Sequence, residues 1–90
     1  MILIDSPIWP GHGRRWSHLV SDESYAELHT FAAELGLSRR AFDGDHYDLP
    51  ESMYQQAIDA GATAVTGREL VTRLNAAGLR RRKTRRTDDT

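Results

Sequence analysis

The clearest structural signal in this chain is the succession Gly61-Ala62-Thr63-Ala64-Val65-Thr66-Gly67-Arg68-Glu69, in which a short strand leads directly into a helix. Small and β-branched residues follow a glycine turn signal, as is typical of a short strand. Thr66 and Glu69 have the spacing of a capping box, in which each side chain satisfies a free amide at the start of a helix. The pattern therefore predicts a βα unit whose helix ends at Gly78.

Two further helices are predicted upstream of this unit. The first covers about 23–35, with Ser21-Asp22 as its N-cap, apolar residues at i, i+3 and i+4 spacing, and a glycine stop. The second begins with Pro50 at its first helical position and ends at Gly61.

The strands are shorter. Met1–Ile4 and 62–65 are the best candidates, 17–20 is a further short strand, and 41–49 is a strand or an ordered loop. We therefore predict an α/β domain of two or three layers, in which a small mixed or parallel sheet packs with about three helices.

Length and composition predict one soluble domain over 1–80. The chain has 90 residues, of which 39% are hydrophobic and 28% are charged, and this is enough for one apolar core. Its longest apolar run, Met1–Ile4, is far shorter than the roughly 20 residues of a membrane span, so we expect a cytosolic protein that does not bind membranes. The chain has no cysteine, which excludes disulfides, zinc–thiolate sites and thiol nucleophiles.

Charge is distributed unevenly along the chain. Residues 1–79 carry six arginines and eleven acidic residues, a formal charge of −5, whereas 80–90 carry six basic and two acidic residues, a formal charge of +4. The segment 81–90 has no apolar side chain to bury, and we predict that it is disordered.

The candidate functional residues lie in two distant parts of the sequence. Asp5 follows the first predicted strand, where ligands gather in open α/β sheets. We predict that Asp5 converges with His18, His46 and Asp48 on one polar pocket. Alternation along a strand would pair His46 with Asp48 and separate both from Asp45 and Tyr47.

Two chemistries use the same pocket. His18, His46 and Asp48 could hold a divalent metal, and nitrogen and oxygen ligands favour zinc, manganese or iron over calcium. Alternatively, His18, His46, Asp48 and Asp5 could act as a general acid and base, while Arg14 or Arg15 holds a phosphate or carboxylate of the ligand.

The segment between the first strand and this pocket supplies candidate ligand-binding residues. Its prolines and glycines predict an irregular, specifically shaped loop rather than a tight hairpin. If the segment is extended, His12, Arg14 and Trp16 share one side with His18. We predict that these three residues and Tyr47 contact the substrate.

Each of these residues also has a purely structural interpretation. Asp48 could cap the helix that follows it, and His46 could brace the loop before that helix. His29 is interpreted as a histidine at the boundary of the core. Trp9 and Trp16 are interpreted as core and loop-packing residues, because a small domain has few other large groups to bury.

A dense set of motifs spans about residues 1–80, including Trp9-Pro10-x-His12-Gly13, Trp16-Ser17-His18-Leu19, Asp45-His46-Tyr47-Asp48 and Arg68-Glu69-Leu70. With these motifs the chain resembles a family of small bacterial and phage proteins catalogued as a domain of unknown function. The resemblance implies a single-domain bacterial protein with phage-carried relatives, and it implies no substrate.

Two functions from different classes remain open at this stage. The first is a small enzyme or ligand-binding domain that uses the polar pocket on a phosphate-bearing ligand or nucleotide. The second is a non-enzymatic adaptor that binds nucleic acid or a protein partner through the basic residues 80–86 and the surface around Arg39-Arg40. Because so small a domain gains buried area by pairing, a homodimer is compatible with either function.

Overall fold

The structure, a computed structural model, describes residues 1–81. The chain forms, in order, β1 (Ile2–Ile4), β2 (Trp9–Gly11), β3 (Arg14–Ser21), α1 (Tyr25–Glu34), a 3₁₀ turn (Arg39–Ala41), β4 (Tyr47–Pro50), a second 3₁₀ turn (Glu51–Met53), α2 (Tyr54–Asp59), β5 (Thr63–Ala64) and α3 (Gly67–Ala76). The predicted α/β fold with a small sheet and three helices is confirmed. Apart from Arg81, the predicted basic tail lies outside the described residues.

The sheet is mixed, and β3 is its centre. On one edge β3 pairs antiparallel with both β1 and β2, and on its other edge it pairs antiparallel with β4. β5 extends the sheet by pairing parallel to β1. β5 leads through Thr66 into α3, and these two elements form the predicted βα unit.

Helices cover both faces of the sheet, so that the domain has three layers. Ile4, Leu19 and Leu49 pack with α1 and α2 on one face in the larger core cluster. On the other face, Leu3 and Val20 pack with two leucines of α3 in a cluster of only four buried residues. Because this cluster is small, part of the sheet face that α3 covers remains available for polar side chains.

The helix starts differ from the predictions. Ser24 rather than Ser21-Asp22 is the N-cap of α1, because its hydroxyl accepts the Glu27 amide, while the Ser21 hydroxyl accepts the amides of Glu23 and Ser24. Pro50 is the last residue of β4 and not the first of a helix; a 3₁₀ turn separates it from α2. The Thr66 cap is as predicted, since its hydroxyl accepts the Glu69 amide at 3.0 Å.

The expectation of an irregular loop rather than a hairpin after Asp5 is wrong. β2 and β3 form a tight hairpin around His12-Gly13, whose φ angles of 51° and 75° are the positive values that a type I′ turn requires. Pro10 is tolerated because β2 pairs on one side only, so that its missing amide costs the sheet no hydrogen bond. The irregularity lies instead between β1 and β2, where residues 5–8 stand opposite only Ser17 and His18.

Replacement of Gly13 by alanine should destabilise this hairpin. A side chain at φ +75° meets no neighbouring atom, so that only the backbone conformation is penalised. We expect the free energy of unfolding to fall by about 1 kcal/mol, the cost of placing an L-residue in the left-handed region. Urea denaturation measures this change, and an unchanged midpoint would contradict the type I′ assignment.

Among residues 1–81, no helix has the length and apolar character needed to cross a bilayer.

Candidate metal centre and ligand cleft

Polar side chains from β3, from β4 and from the residues that follow β1 and precede β4 meet on the sheet face that α3 only partly covers. His18 alternates with Val20 along β3, and Asp48 is the register partner of His18 in β4. His46 immediately precedes β4, and its ring centroid lies 5.0 Å from that of His18. The structure thus brings His18, His46 and Asp48 together, and Asp5 lies beneath His18.

Asp5 fixes the orientation of the His18 ring. The Asp5 side chain is only 3% exposed. Its Oδ1 accepts the His18 backbone amide at 2.5 Å, and its Oδ2 lies 2.8 Å from His18 Nδ1 and 3.1 Å from the indole Nε1 of Trp9. Gly67, the first residue of α3, lies against this carboxylate, so that the positive end of the helix dipole helps to stabilise it. With Nδ1 donating to Asp5, neutral His18 carries its free lone pair on Nε2.

Asp45 does the same for His46, a role that the sequence analysis did not predict. Strand alternation was expected to separate Asp45 from His46, but Asp45 precedes β4 in a turn where alternation does not apply. Its Oδ1 lies 2.7 Å from His46 Nδ1. Its Oδ2 accepts the Arg81 amide at 2.7 Å and an Arg80 guanidinium nitrogen at 3.3 Å. Each imidazole therefore has its own buried carboxylate on Nδ1.

His18, His46 and Asp48 form a compact set of groups that could hold a metal ion. His18, His46 and Asp48 each offer one ligand atom, and these three atoms lie within 4.8 Å of one another. His46 Nε2 lies 3.2 Å from Asp48 Oδ1. We refer to these three residues as the His–His–Asp cluster.

Charge around the cluster favours a cation. Burial alone would raise the pKa of Asp45, but hydrogen bonds from His46 and from the Arg81 amide hold that pKa below its ordinary value. The hydrogen bond to Asp5 raises the pKa of His18 in spite of burial, with the charges of Asp48 and Asp45 adding to it. Several carboxylates thus create a negative potential at the two imidazoles.

A cleft of about 700 Å³ opens beside the cluster. One wall is the β2–β3 hairpin, the other is the first 3₁₀ turn and the residues after it, and His18 and Asp48 lie between them. The cleft is lined by Trp9, Pro10, Gly11, His12, Trp16, His18, Arg40, Ala41, Phe42, Asp43 and Asp48. Its volume lies within the range of about 300–1,000 Å³ that is usual for small-molecule sites.

The predicted substrate-binding residues have different positions relative to this cleft. His12 and Trp16 line it. Arg14 lies next to it, with its guanidinium 5.8 Å from the centre of the Trp16 ring. Tyr47 is not in the cleft: its side chain faces the opposite side of β4, is 1% exposed and contacts His29 Nδ1 through its hydroxyl at 2.7 Å. The alternation that places Asp48 in the cleft places Tyr47 in the core.

The purely structural interpretations also have different outcomes. Trp9 is not a core residue, because it is 44% exposed and lines the cleft. Asp48 does not cap a helix: Pro50 occupies the N-cap of the following 3₁₀ turn, which has no side-chain cap. His29 is partly buried in an aromatic cluster with Phe42 and Tyr47, at the boundary of the core.

The position of His29 predicts a pH effect on stability. Burial, and secondarily the charge of Arg39, lowers the pKa of His29 from its ordinary value of 6.5. The unfolded chain therefore takes up a proton more readily than the folded protein, so that His29 costs stability as the pH falls below 6.5. The stability advantage of the wild type over His29→Gln should shrink between neutral and mildly acidic pH, as measured by urea denaturation. A difference that is constant or grows as the pH falls would contradict this assignment.

The fold and the site together define a small three-layer α/β domain with a histidine–carboxylate cluster at the side of an open cleft. The chain belongs to the family described as Protein of unknown function (DUF4031), whose family model matches residues 2–77. The match covers all the helices and strands and every residue of the cluster. No curated protein and no solved structure matches the chain.

Proposed function

We propose that the chain is a small metal-assisted enzyme or ligand-binding domain, in which His18, His46 and Asp48 hold one divalent transition-metal ion. Its ligand is a phosphate-bearing small molecule that occupies the cleft. The observation that carries the proposal is the matched pair of buried carboxylates, Asp5 and Asp45, one on the Nδ1 of each imidazole.

Carboxylates in this position are usual partners of metal-binding histidines, because they fix the tautomer and make the other ring nitrogen a better ligand. Metal bonds of about 2.0–2.1 Å place neighbouring ligand atoms roughly 3.0–3.4 Å apart. The distance of 3.2 Å between His46 Nε2 and Asp48 Oδ1 agrees with one such edge, while the whole set lies within 4.8 Å. Two imidazoles and one carboxylate favour zinc, manganese or iron over calcium.

The chain's own residues supply the rest of the chemistry. Asp5 and Asp45 act as positioning residues that hold the two rings. Arg40 brings a positive charge to the cleft, where it can pair with a phosphate. A divalent ion at this position would stabilise negative charge on a phosphate oxygen and lower the pKa of a bound water. A metal-free acid/base site built from the same side chains is the alternative.

Elemental analysis separates the two versions. The purified protein is dialysed against zinc, manganese and iron(II) ions in turn, and its metal content is measured after removal of free ions. We expect one ion per chain for at least one of the three metals. If the folded protein retains none of the three metals, the proposed metal site is wrong and the metal-free acid/base site is the remaining interpretation.

Other expectations from the sequence remain predictions. These are a cytosolic location, a phage-related bacterial origin, a homodimer and a nucleic-acid-binding or protein-binding adaptor role for the basic residues 80–86. Residues 82–90 lie outside the described part of the chain. DNA or RNA binding that is lost at raised salt and on deletion of 82–90, which keeps the Arg81 amide on Asp45, would support the adaptor role.

A further inference from the structure

We infer that the ligand of the cleft is a nucleotide, with its base against the indole of Trp9 and its phosphate between Arg40 and the His–His–Asp cluster. The phosphate half of this inference rests on the proposed function. The base half rests on an independent observation, the exposed and fixed tryptophan at one wall of the cleft.

Trp9 is a preorganised stacking surface. The side chain is one of the few large exposed apolar groups among residues 1–81, at 44% exposure. It is nevertheless held in place, because its Nε1 donates to the buried Asp5 carboxylate at 3.1 Å and its ring centroid lies 5.1 Å from that of His18. A fixed ring loses little conformational entropy when a second flat ring stacks on it. Stacking is a common way in which proteins bind nucleobases.

Trp16 widens this aromatic wall without covering Trp9. The two tryptophans are register partners across the hairpin, yet they lean in opposite directions. Trp16 donates its Nε1 to the Gly11 carbonyl at 2.9 Å, near the hairpin turn, whereas Trp9 reaches back to Asp5. Gly11 permits this contact, because a Cβ there would lie 3.1 Å from the Trp16 Nε1. The divergence leaves both rings on the lining of the cleft.

The charges of the cleft make phosphate binding depend on the metal. Arg40 and Asp48 carry opposite charges in the lining, so that without a metal these two side chains together offer a phosphate no net positive charge. A divalent ion in the cluster adds two positive charges. A phosphate should therefore bind more tightly together with the ion, and by linkage the phosphate should strengthen ion binding equally.

The test compares ligands that share one half of the nucleotide. Isothermal titration calorimetry with and without zinc measures the affinities of adenosine 5′-monophosphate, ribose 5-phosphate and adenosine for the wild-type chain. We expect zinc to strengthen binding of both phosphates, and adenosine 5′-monophosphate to bind roughly 5- to 150-fold more tightly than ribose 5-phosphate, the range expected for one stacked base. Adenosine should bind weakly and independently of zinc.

A Trp9→Leu variant tests whether Trp9 binds the base. Its matched control is Trp9→Phe, which keeps an aromatic ring but lacks the indole donor. Trp9→Leu should lose most of the preference for adenosine 5′-monophosphate over ribose 5-phosphate, and Trp9→Phe should retain part of that preference. A trinucleotide that binds no more tightly than the mononucleotide identifies a free nucleotide as the ligand. Tighter trinucleotide binding identifies the end of a nucleic-acid strand.

The outcomes distinguish this inference from the proposed function. If zinc binds but adenosine 5′-monophosphate has no advantage over ribose 5-phosphate in the wild-type chain, the nucleotide inference is overturned while the metal proposal stands. This comparison needs no variant. If no metal binds but the base preference persists and depends on Trp9, the metal proposal fails and the base half of the inference is supported.

Discussion

A His46→Ala variant should bind zinc at least about 100-fold more weakly than the wild-type protein, because the change removes a ligand and not merely one of its supporting groups. It also leaves Asp48 without its partner at 3.2 Å and Asp45 without the hydrogen bond to Nδ1. Isothermal titration calorimetry at neutral pH measures the loss.

The matched control is His29→Gln, which removes a histidine that is hydrogen-bonded to Tyr47 and is not a member of the cluster. This variant should bind zinc with the wild-type affinity. Circular dichroism and thermal melting of both variants establish that the fold is intact. Equal zinc affinity of folded His46→Ala and wild-type protein would contradict the proposed centre.

An Asp5→Asn variant should have the second large effect, and it should act on stability and metal binding together. An amide can still accept the His18 backbone N–H, but its NH₂ group would then face the indole N–H of Trp9 and the Nδ1 of His18. Two hydrogen-bond donors, the amide NH₂ and the Trp9 indole N–H, would then face each other. The amide NH₂ would also donate to His18 Nδ1, which moves the His18 proton to Nε2, the atom that should bind the metal. We expect a loss of about 2–4 kcal/mol in the free energy of unfolding and a roughly 10- to 100-fold loss in zinc affinity.

Asp59→Asn is the matched control for this change. Asp59 is an exposed carboxylate at the end of α2 that accepts a hydrogen bond from Gln55, and its replacement should change neither quantity appreciably. Urea denaturation measures the stabilities, and calorimetry measures zinc binding. If Asp5→Asn binds zinc as tightly as the wild type, Asp5 does not set the tautomer of His18.

Local signals in the sequence were sufficient for the helices and for the α/β class. Thr66 and Gly78 mark the two ends of α3 because capping is decided by a few neighbouring residues. The first helix start was misplaced by only a few residues, since Ser21 and Ser24 both satisfy free amides there and local sequence does not rank them.

The hairpin was missed for a different reason. Pro10 and Gly13 usually interrupt regular structure, but Gly13 is also the residue that a type I′ turn needs, and Pro10 is acceptable on an edge strand. The position of β2 at the sheet edge follows from long-range strand pairing, and the sequence around Pro10 does not reveal that position. The His12-Gly13 pair between extended segments was the available signal.

The convergence of Asp5, His18, His46 and Asp48 could be expected because strand ends and alternation constrain where these side chains lie. The role of Asp45 could not be predicted in this way. The turn at 43–46 orients its side chain, and Arg80 and Arg81, which are distant in the sequence, complete its hydrogen bonds. The exposure of Trp9 likewise depends on the interrupted strand at 5–8.

The most direct test of the central claim is a cobalt(II) titration followed by NMR of the histidine ring nitrogens. We expect one ion per chain and paramagnetic shifts of the rings of His18 and His46, both carrying a proton on Nδ1. The rings of His12 and His29 should shift much less. Absence of cobalt binding, or a shift confined to one of the two rings, would contradict the claim that His18 and His46 form a single metal centre.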